Sequence, residues 1–433
     1  MWPRLVEYES RRNPFFFEFG LQELPREPGL ILVRGPRQYG KSTWLDLKIR
    51  KTIEDFGKGT ALYLNGDEIL TEEAFHAALL ELEESLPPNA AVRRIFIDEI
   101  TSIRDWERAI KRAYDQGSLR KTLLVTTGSR AADLRHGAER LPGRRGKLDR
   151  TEYVFLPISY AQFYKTVGHE LGGDAWKAYL LAGGAPLGCS EIIHLERVPE
   201  YFTQMIQDWV LGDVVSSGRS RLYLRNVLDA LYRFAGTPVG FAKLAREAGM
   251  ANNTVASGYV ERLSDLLTVL PVWQWDPSKK RIETRKPCKF TFINLAVAVS
   301  FHSARLRLVH DFDQLPGPER AKLVEWLVAQ ELWRRRIFMN RDEPERLSFW
   351  RSKNHEIDYV VDGDDFYEVK VGKATALEYS WFAKVFPGKK LTVVCSTPFE
   401  GRNVRGVTLH EFLMEGPCLD FIRDWETPGS SAN

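Results

Sequence analysis

Over the first 165 residues, short apolar runs alternate with amphipathic stretches. "GLILVRG" (29–35) is almost continuously apolar, the mark of a buried strand. It is followed by "KSTWLDLKIRKTIEDFG" (41–57). There Leu45, Ile49, Ile53 and Phe56 fall on one helical face, and Gly57 supplies a stop. Further strands are expected at "TALYLNG" (60–66), "RRIFIDE" (93–99), "KTLLVTTGS" (121–129) and "EYVFLPIS" (152–159). Helices fit between them at "TEEAFHAALLELEESL" (71–86) and "DWERAIKRAYDQG" (105–117). Alternating βα units of this kind predict an α/β domain with a parallel sheet and helices on both faces.

The pattern changes after residue 165. "FAKLAREAGMANNTVASGYVERLSDLLTVLPV" (241–272) predicts helix, turn, helix, with Leu244, Ala245, Val255, Tyr259, Val260 and Leu263 as the helix–helix contact. "TVLPVWQW" and "KFTFIN" then look like the strands of a wing. In the last 120 residues, "HEIDYVV" and "FYEVKV" are strand-like around a "DGDD" hairpin turn. Three regions are expected: 1–165, 166–310 and 311–433.

Composition narrows the class little. The 433 residues are 44% hydrophobic and 27% charged with a net charge of +3, as in an ordinary globular protein. That mild basicity does not by itself point to nucleic acid. Cys189, Cys288, Cys395 and Cys418 lie far apart, so free thiols in a reducing cytosol are expected and a zinc site is not. No apolar run approaches the about 18 residues of a membrane span. The start "MWPRLVEYESRR" lacks a signal-peptide core, so a cytoplasmic location without membrane association is expected. The tail "TPGSSAN" is expected to fray.

Chemistry concentrates in two places. The first is "GPRQYGKST", Gly35, Pro36, Arg37, Gln38, Tyr39, Gly40, Lys41, Ser42 and Thr43, which fits the phosphate-binding pattern G-x-x-x-x-G-K-[ST]. Its glycines let the backbone aim N–H groups at one point, and the following helix adds its positive dipole end. Lys41 is expected on the β- and γ-phosphates of ATP and Ser42 on Mg²⁺. "RRIFIDEI" then places Asp98 and Glu99 at a strand end. Asp98 is expected to hold the Mg²⁺ shell, and Glu99 to orient or deprotonate the attacking water. The plainer alternative is a cap for the next segment. "LLVTTGSR" ends in Thr127 and Ser129, either a γ-phosphate sensor or an ordinary turn. In "RHGAERLPGRRGKLDR", Arg144 or Arg145 is either an arginine finger, in cis or from a neighbouring subunit, or part of a solvated loop.

The second place is "HEIDYVVDGDDFYEVKVG" (355–372). Glu368 and Lys370 share one strand face, and Asp358 can meet them across the hairpin. Asp followed by Glu-x-Lys is the PD-(D/E)xK pattern of restriction-endonuclease-like folds. Asp358 and Glu368 would hold a Mg²⁺ that activates water, with Lys370 steadying the developing charge. A helix glutamate often joins such a set: Glu325 is the candidate, with Glu331 second. Glu-Val-Lys alone is also an ordinary salt-bridge pattern of exposed strands, and such a fold can persist as a packing module. In the helix–turn–helix, Asn252, Asn253 and Ser257 could touch bases, but its second helix is poor in Lys and Arg.

With these motifs in view, the chain resembles the prokaryotic AAA-like ATPases of the archaeal-ATPase type. These carry a helical and winged-helix middle and a C-terminal nuclease-like domain. The resemblance rests on "GPRQYGKST", "IFIDEI" followed by Trp106, "TTGSR", "LPGRR" and "FLPISYAQF". "AGGAP" (182–186), the Trp209–Asp213 segment and "LSFWRSKNHEIDYVV…FYEVK" add to it. It implies ATP and Mg²⁺ as cofactors, ATP hydrolysis coupled to a nuclease-like module, and DNA as a partner. The rival expectation is an ATP-driven switch whose C-terminal domain only binds a protein partner or DNA.

Overall fold

In the computed structural model, residues 5–6, 15–129, 134, 137–340 and 347–416 are described. Cys418, Arg130, the tail 427–433 and most of the N-terminal stretch 1–12 lie outside the described residues.

The N-terminal region forms five strands: β1 (Gly29–Arg34), β2 (Ala61–Asn65), β3 (Arg94–Asp98), β4 (Leu123–Gly128) and β5 (Glu152–Val154). All pair in parallel in the order β2-β3-β4-β1-β5. Helices α1 (Lys41–Phe56), α2 (Glu72–Ser85) and α3 (Trp106–Asp115) connect them. Alternation along each strand sorts the side chains by face. Leu30, Leu32, Ile95, Ile97 and Leu124 pack with Phe75, Leu79, Trp106 and Ile110 of α2 and α3. Ile31, Val33, Phe96 and Val125 face α1, with its buried Leu45 and Ile49, and join a larger core. Both faces are thus covered, as a parallel sheet requires.

That larger core continues through a helical region: α4 (Tyr160–Leu171), α5 (Ala175–Ala182), α6 (Pro186–Leu195), α7 (Glu200–Ser216), α8 (Arg221–Arg233), α9 (Phe241–Glu247) and α10 (Asn253–Asp265). Helices α9 and α10 pack through Leu244, Ala245, Tyr259, Val260 and Leu263, all buried. Val255 does not join them. It sits in the first turn of α10, where its backbone N–H donates to the capping Asn252, and its side chain stays 37% exposed.

The expected wing is built into a larger sheet. Strand β6 (Val269–Asp276) pairs antiparallel with β7 (Arg281–Glu283) and, earlier along its length, with β8 (Lys289–Phe292). It also pairs in parallel with β9 (Leu347–Arg351). The sheet then runs through β10 (Glu356–Val361), β11 (Asp365–Val369) and β12 (Lys390–Val394) to β14 (Val404–Val407) and its antiparallel neighbour β13 (Phe399–Gly401). It is therefore continuous across residue 310. Helix α11 (Leu295–Ser300) follows β8, and the long α12 (Gly317–Phe338) precedes β9. Short α13 (Phe382–Val385) joins β11 to the parallel β12, and α14 (Leu409–Met414) ends the described chain.

Gly183 closes the contact between α5 and α11. Its φ is +65°, and a Cβ there would lie 2.0 Å from the backbone nitrogen of Ala296. Only glycine fits that approach. Among the described residues, no helix is long and apolar enough to cross a membrane.

Candidate functional site

The phosphate loop lies between β1 and α1, at the carboxyl ends of the parallel strands, where open α/β sheets place ligands. Gly40 takes φ +93°, and a Cβ there would meet the Phe17 ring at 2.7 Å. The turn thus needs glycine twice over, for its backbone and for its space. Lys41 is 4% exposed, and its ammonium donates to the carbonyls of Gly35 (3.0 Å) and Pro36 (2.8 Å). Burial lowers its pKa, against the pull of Glu99 and Asp98. An anionic ligand in the loop would give this lysine a better partner than the two carbonyls.

β4 lies between β1 and β3 in the sheet, so its polar end reaches both loops. The Thr127 hydroxyl donates to Asp98, which is 3% exposed, and accepts from the Glu99 backbone N–H at 3.2 Å. Glu99 itself sits in the left-handed region, φ +49°. Its carboxylate accepts from the Ser129 hydroxyl at 2.9 Å and the Ser129 backbone N–H at 3.1 Å. The Ser129 hydroxyl in turn accepts from Arg37 Nε at 3.2 Å, and Arg37 lies 3.6 Å from Asp213 of α7.

Lys41, Ser42, Thr43, Asp98, Glu99, Arg37, Gln38 and Gly40 all line one cleft of about 1080 Å³. Asn65, Asp67 and Glu68 line another wall, and α6 and α7 form the roof through Pro186, Leu187, Ser190, Tyr201 and Met205. The loop geometry, the ammonium and the carboxylate pair suit a triphosphate with a hard divalent cation. Ser42 and Asp98 are the oxygens available to that cation.

Three residues expected here stand outside the cleft of this chain. Tyr39 turns its side chain away from the cleft, fully buried, and its hydroxyl donates to Asn294 Oδ1 at 2.9 Å. Burial pushes that phenol far above its ordinary pKa. Arg144 is held bidentately by Asp115 of α3 at 2.7 and 3.1 Å, and Arg145 is paired with Glu152. Neither arginine lines the cleft.

The second expected constellation converges in part. Tyr359 pairs with Tyr367 across the β10–β11 hairpin, which sets Asp358 beside Glu368. The Asp358 N–H donates to Glu368 Oε2 at 3.2 Å, and the Val369 N–H donates to Asp358 Oδ2 at 3.0 Å. Glu325 of α12 reaches the same place and accepts from Tyr359 Oη at 3.5 Å. Burial and the nearby Asp358 push the Glu325 carboxyl up to about 7, and the same two causes raise Glu368 well above its ordinary range. Glu331 is committed elsewhere, bound by Arg334 at 2.8 and 3.1 Å and by Arg335 at 2.8 Å. Lys370 follows the last residue of β11, is exposed, and lines a separate 490 Å³ cavity with Tyr160, Tyr164 and His410.

Within the carboxylate cluster lies a group the sequence did not point to. Lys289 of β8, 1% exposed, places its Nζ 2.7 Å from Glu356, 2.9 Å from Asp358 and 3.9 Å from Glu325. Burial alone would lower its pKa, but Asp358, Glu325 and Glu356 together raise it above the ordinary lysine value. Among the described residues, no three His, Cys, Asp or Glu side chains are grouped as a metal site.

In the helix–turn–helix, Asn252 is occupied as the cap of α10, its side chain accepting from the Val255 N–H at 3.0 Å. Five exposed basic residues cluster on the β6–β7 turn and just after it: Lys279, Lys280, Arg281, Arg285 and Lys286.

The family comparison covers the first site. Residues 27–164 match the family model of an AAA domain. An uncharacterized protein of Methanocaldococcus jannaschii is 24% identical over 356 residues, spanning 77% of this chain and 72% of its own. Among solved structures, the Walker-type ATPase of Pyrococcus abyssi is 14% identical with a TM-score of 0.42, over 69% of this chain and 93% of that one. The ORC1 protein of Aeropyrum pernix in complex with DNA is 15% identical with a TM-score of 0.33, over 69% and 91%. Residues 27–164 are thus similar to an AAA domain, and together with the P-loop they support an ATP-binding, ATPase-like function for this segment.

Proposed function

We propose that this chain is a Mg²⁺-dependent ATP hydrolase that works as a switch, relaying its nucleotide state to a C-terminal binding module. The observation that carries this reading is the single cleft holding Lys41, Ser42, Asp98 and Glu99 under a roof of α6 and α7. Lys41 would leave its two loop carbonyls for the phosphates. Asp98, oriented by Thr127, would hold the water shell of the cation. Glu99 would orient or deprotonate the attacking water. As it stands, Glu99 is engaged by Ser129, which is shared with Arg37 and so with Asp213 on the roof. Closing the roof on ATP and releasing Glu99 would then be one event.

A second reading, a Mg²⁺-dependent nuclease, draws support from the C-terminal connectivity. A helix, three antiparallel strands, a short helix and a parallel strand follow in order, with Asp358 beside Glu368 on the second and third strands. That order suits the restriction-endonuclease-like fold expected from the sequence. DNA as the module's partner draws on the basic β6–β7 turn, which would supply phosphate contacts that α10 lacks.

Nucleotide binding tests the main reading. Lys41→Ala should weaken binding of a fluorescent ATP analogue by at least about tenfold, the loss of one charge-assisted phosphate contact. Equal affinity in both proteins would count against it.

A further inference from the structure

We infer that Lys289 is the resident cation of the Glu325–Glu356–Asp358 cluster, standing where a nuclease would hold its divalent metal, so that these carboxylates lock β8 onto the C-terminal module and do not build a cutting site. The inference goes beyond the ATPase reading, stands independently of it, and opposes the nuclease reading at this cluster.

The geometry leaves little room for both cations. A Mg²⁺ ion needs near-octahedral oxygens at about 2.0–2.1 Å and keeps several waters. The Lys289 ammonium already sits within 3 Å of Glu356 and Asp358 and so takes up oxygens a metal would need. A divalent ion bound to Asp358 would face that ammonium at a few ångströms in a buried setting, where like charges repel strongly. Three of the carboxylate oxygens also hold protein donors. Asp358 Oδ2 accepts the Val369 N–H, Glu368 Oε2 accepts the Asp358 N–H, and Glu325 accepts from Tyr359.

Lys289 comes from outside the helix–three-strand–helix–strand unit. It enters on β8, whose partner is β6, opposite Val272. An aromatic ring also faces its charge: Nζ lies 5.5 Å from the centroid of the Phe349 ring on β9. The lysine therefore joins a neighbouring segment to the carboxylates, which suits a structural clamp better than a nucleophile-orienting group. The residue the strand pattern offers for the latter role, Lys370, is exposed at another cavity.

The test is Mn²⁺ binding to the nucleotide-free full-length protein, followed by electron paramagnetic resonance, for wild type, Asp358→Asn, Lys289→Met and the double variant. Wild type and Asp358→Asn should bind Mn²⁺ alike, with no site that depends on Asp358. Lys289→Met should gain a site tighter by about tenfold or more, because the ammonium no longer repels the ion. That site should vanish in the double variant. A Mn²⁺ site in wild type that Asp358→Asn removes would overturn the inference, and this comparison holds even if Lys289→Met fails to fold. A folded Lys289→Met with no gained site would overturn it too. Nucleotide binding at Lys41 is unaffected by either result, so failure here is distinguishable from failure of the ATPase reading.

Discussion

The contact between Tyr39 and Asn294 links the phosphate loop to the segment that follows β8, across 255 residues of sequence. Removing it one side at a time gives different costs. Tyr39→Phe deletes a hydroxyl but leaves Asn294 Oδ1 its second donor, the Val297 N–H at 3.3 Å. The loss should be about 1 kcal/mol, the net worth of a neutral hydrogen bond. Asn294→Ala removes the N-cap of α11, at about 1 kcal/mol. It also strands the Tyr39 hydroxyl in a fully buried site, at about 2 kcal/mol more. In the double variant nothing is stranded, so the total should be about 2 kcal/mol against a sum of singles near about 4 kcal/mol. The coupling is then about 2 kcal/mol, well above the scatter of about 0.5 kcal/mol for independent sites. The assay is urea unfolding followed by far-ultraviolet circular dichroism and tryptophan fluorescence together, since coincident curves justify a single free energy. Additive singles would show that the two groups do not meet, and the mechanical tie from phosphate loop to β8 would fall with them.

Two further outcomes follow from the packing. Gly183→Ala should cost at least about 3 kcal/mol, combining a left-handed alanine with a Cβ driven into the Ala296 backbone, and should lower the melting temperature accordingly. His302 is buried, its Nδ1 accepts the Ala304 N–H at 3.2 Å, and burial holds its pKa below the ordinary value despite Glu319. The unfolded chain therefore binds the His302 proton more readily, so stability should fall as pH drops through about 6.5 toward the lowered folded value. His302→Gln should flatten that part of a stability–pH curve measured by urea unfolding; an unchanged slope would show that His302 does not drive it.

What the sequence disclosed was what is local. The buried strands and the helix faces came from periodicity, and the phosphate loop from spacing within nine residues. The Asp98–Glu99 pair needed only its position at a strand end. The Asp358–Glu368 proximity followed from two strands and a short turn. Long-range partners were not legible. Nothing near Tyr39 says that its ring leaves the phosphate cleft for Asn294, because the reason lies in a helix cap 255 residues away. Lys289 looked like one basic residue among many. Its meaning comes from β8 pairing with β6, which carries it 69 residues along the sequence into the carboxylates. A buried lysine amid apolar strand residues, "KFTF", was the one local hint. Arg144 shows the converse. Its motif suggested a finger, in cis or for a neighbouring subunit, and within this chain its partner is Asp115 of α3, a contact the motif did not disclose. Glu331 was likewise claimed by arginines three and four residues along its own helix.

Glu99, just after β3 and beside Ser129, is the residue proposed to activate water for ATP cleavage in the cleft. The direct measurement is phosphate release from ATP with Mg²⁺ by wild type and Glu99→Gln, alongside retention of labelled ATP after rapid gel filtration. Glu99→Gln should keep ATP bound and lose turnover by about a hundredfold or more, as expected when a general base is removed. Turnover in Glu99→Gln close to that of wild type would contradict it.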